Sequence, residues 1–367
     1  MSLNILIYGA GAIGRGFLGP LLQNYDITLS FVDNNSALVD LMKTRQVYTA
    51  AIAEERRYKF IEVPVSECFL LGDDVPIEKY DIVFSCVGPN NCYDLAEYFK
   101  RAKAVISCEN DASTVIRLRE LTSNENIYFG IPDVITSNTA PPELLDQDPL
   151  MTVTEQGILI LERGNYQLPD AIAQVSREEL NMHWFCKLFI HNAPHAIVAY
   201  LGWLKGYRYI HEAMADPCIE EVVVGSINEI TDGIIGAGYA TREFAEMYKQ
   251  KELSRFRNTL LFDTIKRVAR EPLRKLGKDN RISLGMRLSL FNRKIPKYTA
   301  IGAKAALVYD NSDDKEALYL QSLRESVGDC EVLRKYAGIE LFDPLNSFIV
   351  NQDLSTFTNT REQGEKK

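Results

Sequence analysis

The sequence predicts an α/β chain: a doubly wound, mostly parallel sheet with added strands, followed by a mostly α-helical C-terminal domain. Three observations carry this. A short apolar run at residues 4–9 leads straight into a glycine-rich turn, strands of buried type then alternate with helical stretches, and from about Arg177 onward the apolar pattern takes the longer period of helices. The domains expected are therefore 1–176 and 177–367, each long enough for a core of its own.

In chain order, Asn4-Ile5-Leu6-Ile7-Tyr8 has the character of a buried parallel strand and opens Gly9-Ala10-Gly11-Ala12-Ile13-Gly14. This is G-x-G-x-x-G between a strand and a helix, where each glycine has a separate task. Gly9 permits the tight turn, Gly11 removes a side chain that would block a pyrophosphate, and Gly14 lets the helix pack close while its N-terminal N–H groups face the anion. A helix through Phe17–Gln23 and a second strand, Ile27–Val32, end at Asp33, which is placed to accept both ribose hydroxyls of an adenosine. Asn34 and Asn35 follow, with no adjacent arginine to meet a 2′-phosphate, so a Rossmann-type site for NAD rather than NADP is expected. The next strand, Asp81–Val87, runs into Val87-Gly88-Pro89, a loop that would pass beneath the cofactor. Val105–Cys108 closes on Glu109-Asn110, and Asn110 becomes a site candidate because ligands bind at the carboxyl ends of such strands, although asparagine more often forms a turn there. Residues 136–149, with Pro141, Pro142 and Pro149, read as a loop, Met151–Glu162 as an added sheet segment, and the charged tail Arg361–Lys367 as frayed.

In the second half, Lys187, Asn192 and His195 bring an amine, an amide and an imidazole into one segment, KLFIHNAPHAIVAYLG. Together they can move a proton and hold a developing oxyanion; singly, each has a plainer role as a solvated lysine, a helix cap or a core histidine. Pro194 lacks an N–H and its ring clashes with the preceding turn, so a helix break near Asn192 and Ala193 is expected, with Pro194 in the first turn of the next helix. Further on, Arg255–Arg281 holds nine basic residues against Asp263, Glu271 and Asp279, so 9 − 3 gives +6. Arg257, Arg274 and Arg281 are candidates for an anionic ligand, with Lys275 beside them, whereas Lys266 and Arg267 fit a solvated helix face.

With 41 basic and 50 acidic residues the net charge is −9, which argues against nucleic-acid or anionic-membrane partners. No apolar run approaches the ~18 residues of a membrane span. The first strand begins almost at once, leaving no room for a secretory signal, and the seven cysteines are scattered without a C-x-x-C pair, so a cytoplasmic protein with reduced thiols is expected. His183, His191, His195 and His211 lack ligand spacing, and no metal is expected.

These residues together resemble the polyol-specific long-chain dehydrogenases: GAGAIGRGF at 9–17, VGPN at 87–90, K-x4-N-x2-H at 187–195, AYLG at 199–202, RFRN at 255–258 and REPLRKLGKDNR at 270–281. The length resembles the shorter, sugar-phosphate branch. The resemblance implies a metal-independent NAD enzyme with Lys187 as general base and acid, Asn192 and His195 as its partners, and Asn110 as a second asparagine. It places Arg255 near the sugar chain, as in members acting on unphosphorylated substrates. A lysine titrates near ~10.4 and must be brought toward neutrality by desolvation or a neighbouring cation to act as a base. The expected reaction interconverts a hexitol phosphate and a ketose phosphate, with mannitol 1-phosphate and fructose 6-phosphate as the pair; monomer and dimer both remain open. Ile131–Ser137 and Glu155–Leu159 depart from the family pattern, which leaves the polyol open. The alternatives are a dehydrogenase of an unphosphorylated polyol or hexonate, a ketopantoate-reductase-like enzyme and a non-catalytic NAD(H) sensor.

Overall fold

In the structure, a computed structural model, residues 2–54, 56–137 and 140–358 are described, and the tail expectation at 361–367 lies outside them. The chain divides into two compact units, Met1–Asn181 with Leu260–Phe262, and Met182–Thr259 with Asp263–Lys367.

The first unit carries the strands β1 (Leu3–Tyr8), β2 (Ile27–Asp33), β3 (Val47–Ala53), β4 (Tyr58–Pro64), β5 (Glu67–Leu70), β6 (Ile82–Ser85), β7 (Val105–Ser107), β8 (Ile127–Asp133), β9 (Thr136–Ser137), β10 (Thr152–Glu155), β11 (Ile158–Glu162) and β12 (Ala173–Val175). Eight of them form one sheet in the order β12-β11-β8-β7-β6-β1-β2-β5. From β8 to β5 all neighbours are parallel, and β11 joins antiparallel to β8. Parallel strands need both faces covered, which is why β1 and β6 are apolar nearly throughout: Ile5, Leu6, Ile7, Val83 and Phe84 are all fully buried. The strand order reverses at β1, between β2 and β6, and that reversal opens the crevice at their carboxyl ends.

Two expectations need correction. Met151–Glu162 is not one added segment: β10 joins β3, β4 and β9 in a separate four-stranded sheet, while β11 extends the main one. Alternation alone cannot show that Gln156-Gly157 turns the chain from one sheet to the other; a Cβ at Gly157 would lie 2.6 Å from Val134, so the passage is tight. The span 136–149 is also not all loop, since β9 and a short helix at Pro142–Leu145 lie within it.

The second unit is helical: α1 (Arg177–Cys186, begun in the first unit), α2 (Ala193–Lys205), α3 (Pro217–Gly236), α4 (Arg242–Phe256), α5 (Ile265–Ala269), α6 (Pro272–Leu276), α7 (Arg281–Phe291) and α8 (Lys297–Leu307), with further helices beyond. α2 is buried on every side from Ala193 through Gly202, which is the burial expected of a helix apolar all round. α3, α5, α7 and α8 pack on it, and Gly202 admits Ile265 so closely that a Cβ would meet it at 2.5 Å.

Candidate active site

In the first unit the glycine turn has the form its sequence calls for. Gly9 sits at φ +94°, and a Cβ there would lie 2.5 Å from the carbonyl oxygen of Cys86 at the end of β6. A Cβ on Gly14 would collide with the Gly9 carbonyl, whereas one on Gly11 would meet nothing within 4 Å. Thus two glycines are fixed by packing and the third borders open space, as a pyrophosphate approach requires. A crevice of about 340 Å³ opens here, lined among others by Gly9, Gly11, Asp33 and Val87. Asp33 Oδ2 accepts the Ala10 N–H at 2.8 Å and Oδ1 accepts the Asn35 N–H at 2.9 Å, which fixes the carboxylate at the end of β2. Ala12 and Ile13 complete the turn, half-buried.

The loop after β6 is held by a residue that sequence reasoning passed over. Buried Glu109 accepts the Ser85 hydroxyl at 2.6 Å and the N–H groups of Val87 and Gly88 at 3.0 and 2.8 Å. Burial raises its carboxyl above the usual range, against the pull of these three hydrogen bonds. Pro89 follows this anchored pair, and Asn110, next to Glu109, is half-buried. Arg15 was also passed over; its Nε donates to the Ala10 carbonyl at 3.2 Å from beneath the turn.

In the second unit the expected break is absent. Lys187–Asn192 is wound as a π-helix joining α1 to α2, Asn192 and Ala193 keep right-handed helical dihedrals, and Pro194 stands in the first turn of α2. The widened turn is one way to absorb a proline that can neither donate backward nor tolerate the carbonyl four residues earlier. It also alters the spacing. Residues five apart on an α-helix lie about 140° apart in projection, but an i→i+5 turn brings them onto nearly the same face. Lys187 and Asn192 are such a pair, and both are buried, as is His195 three residues further on.

Carboxylates distant in sequence hold the two histidines of this segment. His195 Nε2 lies 2.8 Å from Asp263 Oδ2, and Arg267 Nε donates to Asp263 Oδ1 at 3.0 Å. His191 Nδ1 bonds Glu252, which accepts from Arg255 Nη1 at 2.6 Å. Phe256 stacks on His195 at 5.1 Å between ring centroids. Burial lowers the His195 pKa despite Asp263, and Arg255 and Arg267 add to the depression; Asp263 itself is brought down to about 2, its pairs with Arg267 and His195 outweighing burial.

The basic window does not form one cluster. Arg257 is exposed at the end of α4 and pairs with Glu220 at 2.5 Å; Lys266 pairs with Asp313 and Arg267 with Asp263. Arg274 binds Glu271, and Lys275 donates to the Val268 and Arg270 carbonyls, closing the bend between α5 and α6. Arg281 is buried with its Nη2 unpartnered among the described residues; burial, with Arg274 nearby, lowers its pKa to about 9. Arg274, Lys275 and Arg281 thus lie within electrostatic reach of one another, while Arg255 belongs to the histidine group and Arg257 stands apart at the surface.

A dinucleotide-type crevice in one unit and a buried lysine, amide and imidazole in the other are the groups an oxidoreductase of the secondary-alcohol dehydrogenase class would use. Comparison with known proteins specifies it further: residues 3–126 match the mannitol dehydrogenase Rossmann domain and residues 179–333 the mannitol dehydrogenase C-terminal domain. A mannitol-1-phosphate 5-dehydrogenase of Bacillus velezensis is 31% identical, the match covering 95% of this chain and 98% of that protein. Among solved structures, the Pseudomonas fluorescens mannitol 2-dehydrogenase ternary complex with NAD and D-mannitol superposes with a TM-score of 0.76 at 16% identity, covering 95% of this chain and 91% of that one. A D-sorbitol dehydrogenase in substrate-free form gives 0.71 at 16% identity, covering 95% and 92%. The chain belongs to the mannitol dehydrogenase family.

Among the described residues no group of three or more His, Cys, Asp or Glu side chains is arranged for a metal ion, and no helix is long and apolar enough to cross a membrane.

Proposed function

We propose that this protein is an NAD-dependent oxidoreductase interconverting mannitol 1-phosphate and fructose 6-phosphate, a cytoplasmic enzyme whose partners are small molecules rather than nucleic acid. The observation that carries this is the full-length match to relatives named mannitol-1-phosphate 5-dehydrogenase, at 31% and 30% identity over 95% of the chain, in a protein whose glycine turn leaves open space at Gly11. Gly9, Ala10, Gly11, Ala12, Ile13 and Gly14 cradle the pyrophosphate, Asp33 takes the adenosine ribose, and Val87, which lines the crevice, continues through Gly88 and Pro89 into the loop beneath the cofactor, the N–H groups of Val87 and Gly88 being held by Glu109. When bound, NAD supplies the hydride acceptor.

Lys187 removes the hydroxyl proton of the alcohol as its carbon loses hydride, and returns that proton in the reverse direction. Asn192, with Asn110, donates to the oxygen as charge develops on it, and His195 orients the polyol. Arg255 serves the sugar chain, and Arg257, Arg274, Lys275 and Arg281 are the cations available to the phosphate. Of these, Lys275 is the most committed to the fold, because its ammonium group already binds two carbonyls.

The experiment is oxidation of a polyol and polyol-phosphate panel with NAD. Turnover of mannitol 1-phosphate in preference to free mannitol supports the proposal, whereas preference for an unphosphorylated polyol or hexonate, reduction of keto acids alone, or NADH binding without turnover each overturns it in favour of a different activity.

A further inference from the structure

The contact between His195 and Asp263 constrains more than the position of a ring. Asp263 is buried and ionised, bound through its other oxygen by Arg267 at 3.0 Å, and an ionised carboxylate only accepts hydrogen bonds. The 2.8 Å contact to His195 therefore requires a proton on Nε2. The ring faces Asp263 and Arg267, Arg255 from α4, and the His191 ring 5.0 Å away, and it stacks on Phe256. Burial and the two guanidinium groups outweigh the single carboxylate, so the ring stays neutral near pH 7. A neutral imidazole with its proton on Nε2 presents Nδ1 as an acceptor, and among the described residues Nδ1 makes no hydrogen bond.

We propose that Asp263 is a positioning residue that fixes His195 as a neutral acceptor at Nδ1, so that the imidazole takes a hydrogen bond from a substrate hydroxyl rather than giving one. This rests on the dehydrogenase reading of Lys187 and Asn192 and adds the direction of the hydrogen bond. That direction bears on selectivity: an acceptor matches an alcohol O–H and not a carbonyl oxygen, so His195 serves a hydroxyl of the chain that keeps its proton throughout the reaction, leaving the reacting oxygen to Lys187 and Asn192. An Asp263→Asn variant offers an amide N–H to Nε2, drives the ring proton to Nδ1 and turns the acceptor into a donor, as the equivalent change does in serine proteases.

The test begins with the unmodified protein. With only four histidines in the chain, ¹⁵N-histidine labelling resolves each ring, and His195 should show a protonated Nε2 and an unprotonated Nδ1 across pH 6–8, with and without NADH. A protonated Nδ1 or an imidazolium at pH 7 overturns the proposal, whatever the activity. Asp263→Asn should reverse the two nitrogens and lower kcat/KM roughly 10²–10⁴-fold with NADH affinity unchanged; reversal with full activity overturns it. Should that variant not fold, His195→Asn, which keeps an oxygen acceptor near the Nδ1 position, should retain roughly tenfold more turnover than His195→Leu, and equal losses overturn the acceptor role. If no polyol is oxidised by the wild type, the enzymatic reading fails on its own terms while the ring spectra still decide the tautomer.

Discussion

At the scale of single residues the two units make different demands. Asp33 is already tied to its own turn through Ala10 and Asn35, so its carboxylate is aligned before any ligand arrives and its charge faces the crevice. Asp33→Ala should therefore weaken NAD far more than NADP, since the aspartate favours a ribose diol and repels a 2′-phosphate. Titration of both cofactors by NADH and NADPH fluorescence checks this, and equal losses would remove Asp33 from the role. Lys187 is judged by rate instead. If it handles the reacting proton, Lys187→Ala should lower kcat roughly 10²–10⁴-fold while NADH affinity and the melting temperature stay near wild type. Most of the turnover surviving would show that the proton leaves by another route.

The main elements were legible from local sequence where a short-range rule governs them. The run from Asn4 to Gly14 specifies strand, turn and helix because Gly9 and Gly14 answer to steric limits, and Lys187, Asn192 and His195 stand out as candidates by residue type and are all buried in one segment. Other features answer to distant contacts. Glu252 and Asp263 lie 61 and 68 residues from the histidines they hold, and Glu109 reaches back to a loop 21 and 22 residues earlier; no periodicity encodes such partners. The π-turn was missed for a different reason. A proline in a helical pattern signals disruption, and sequence does not reveal whether the chain will break or widen. If Pro194 sustains the widening, Pro194→Ala should let the segment relax toward regular α-winding and turn Asn192 away from Lys187. The expected result is a roughly ten- to hundredfold loss of kcat with an unchanged or higher melting temperature, because a helix donor is restored. Unchanged kinetics would mean that packing around the buried residues Leu188–Ile190 holds the π-turn without the proline.

Across the whole molecule, charge raises a question that no single residue answers. A chain of net −9 repels a phosphorylated substrate at long range, yet 255–281 sums to +6, and the two effects respond to salt with opposite sign. The structure reduces the local surplus: Arg257, Lys266, Arg267 and Arg274 each sit against a carboxylate. Arg255 is paired with Glu252 as well, and what persists among the described residues is Arg270 and Lys278, with Arg281, buried with its Nη2 unpartnered, and Lys275, bound to carbonyls that carry no formal charge. Arg257 can contribute by exchanging Glu220 for phosphate, since an exposed pair contributes only about 0–1 kcal/mol and is easily traded. If these cations receive the phosphate, kcat/KM for mannitol 1-phosphate should fall several-fold as ionic strength rises from about 0.01 to 0.5 M, while the value for free mannitol stays flat. Arg257→Ala should flatten the slope and lower kcat/KM for the phosphorylated substrate by roughly ten- to a hundredfold, and Glu220→Gln should raise it by removing the competing carboxylate. A value that climbs with salt in the wild type would mean that the global negative charge governs the encounter, and the basic window would then be scaffold alone, its cations serving the helices they already join.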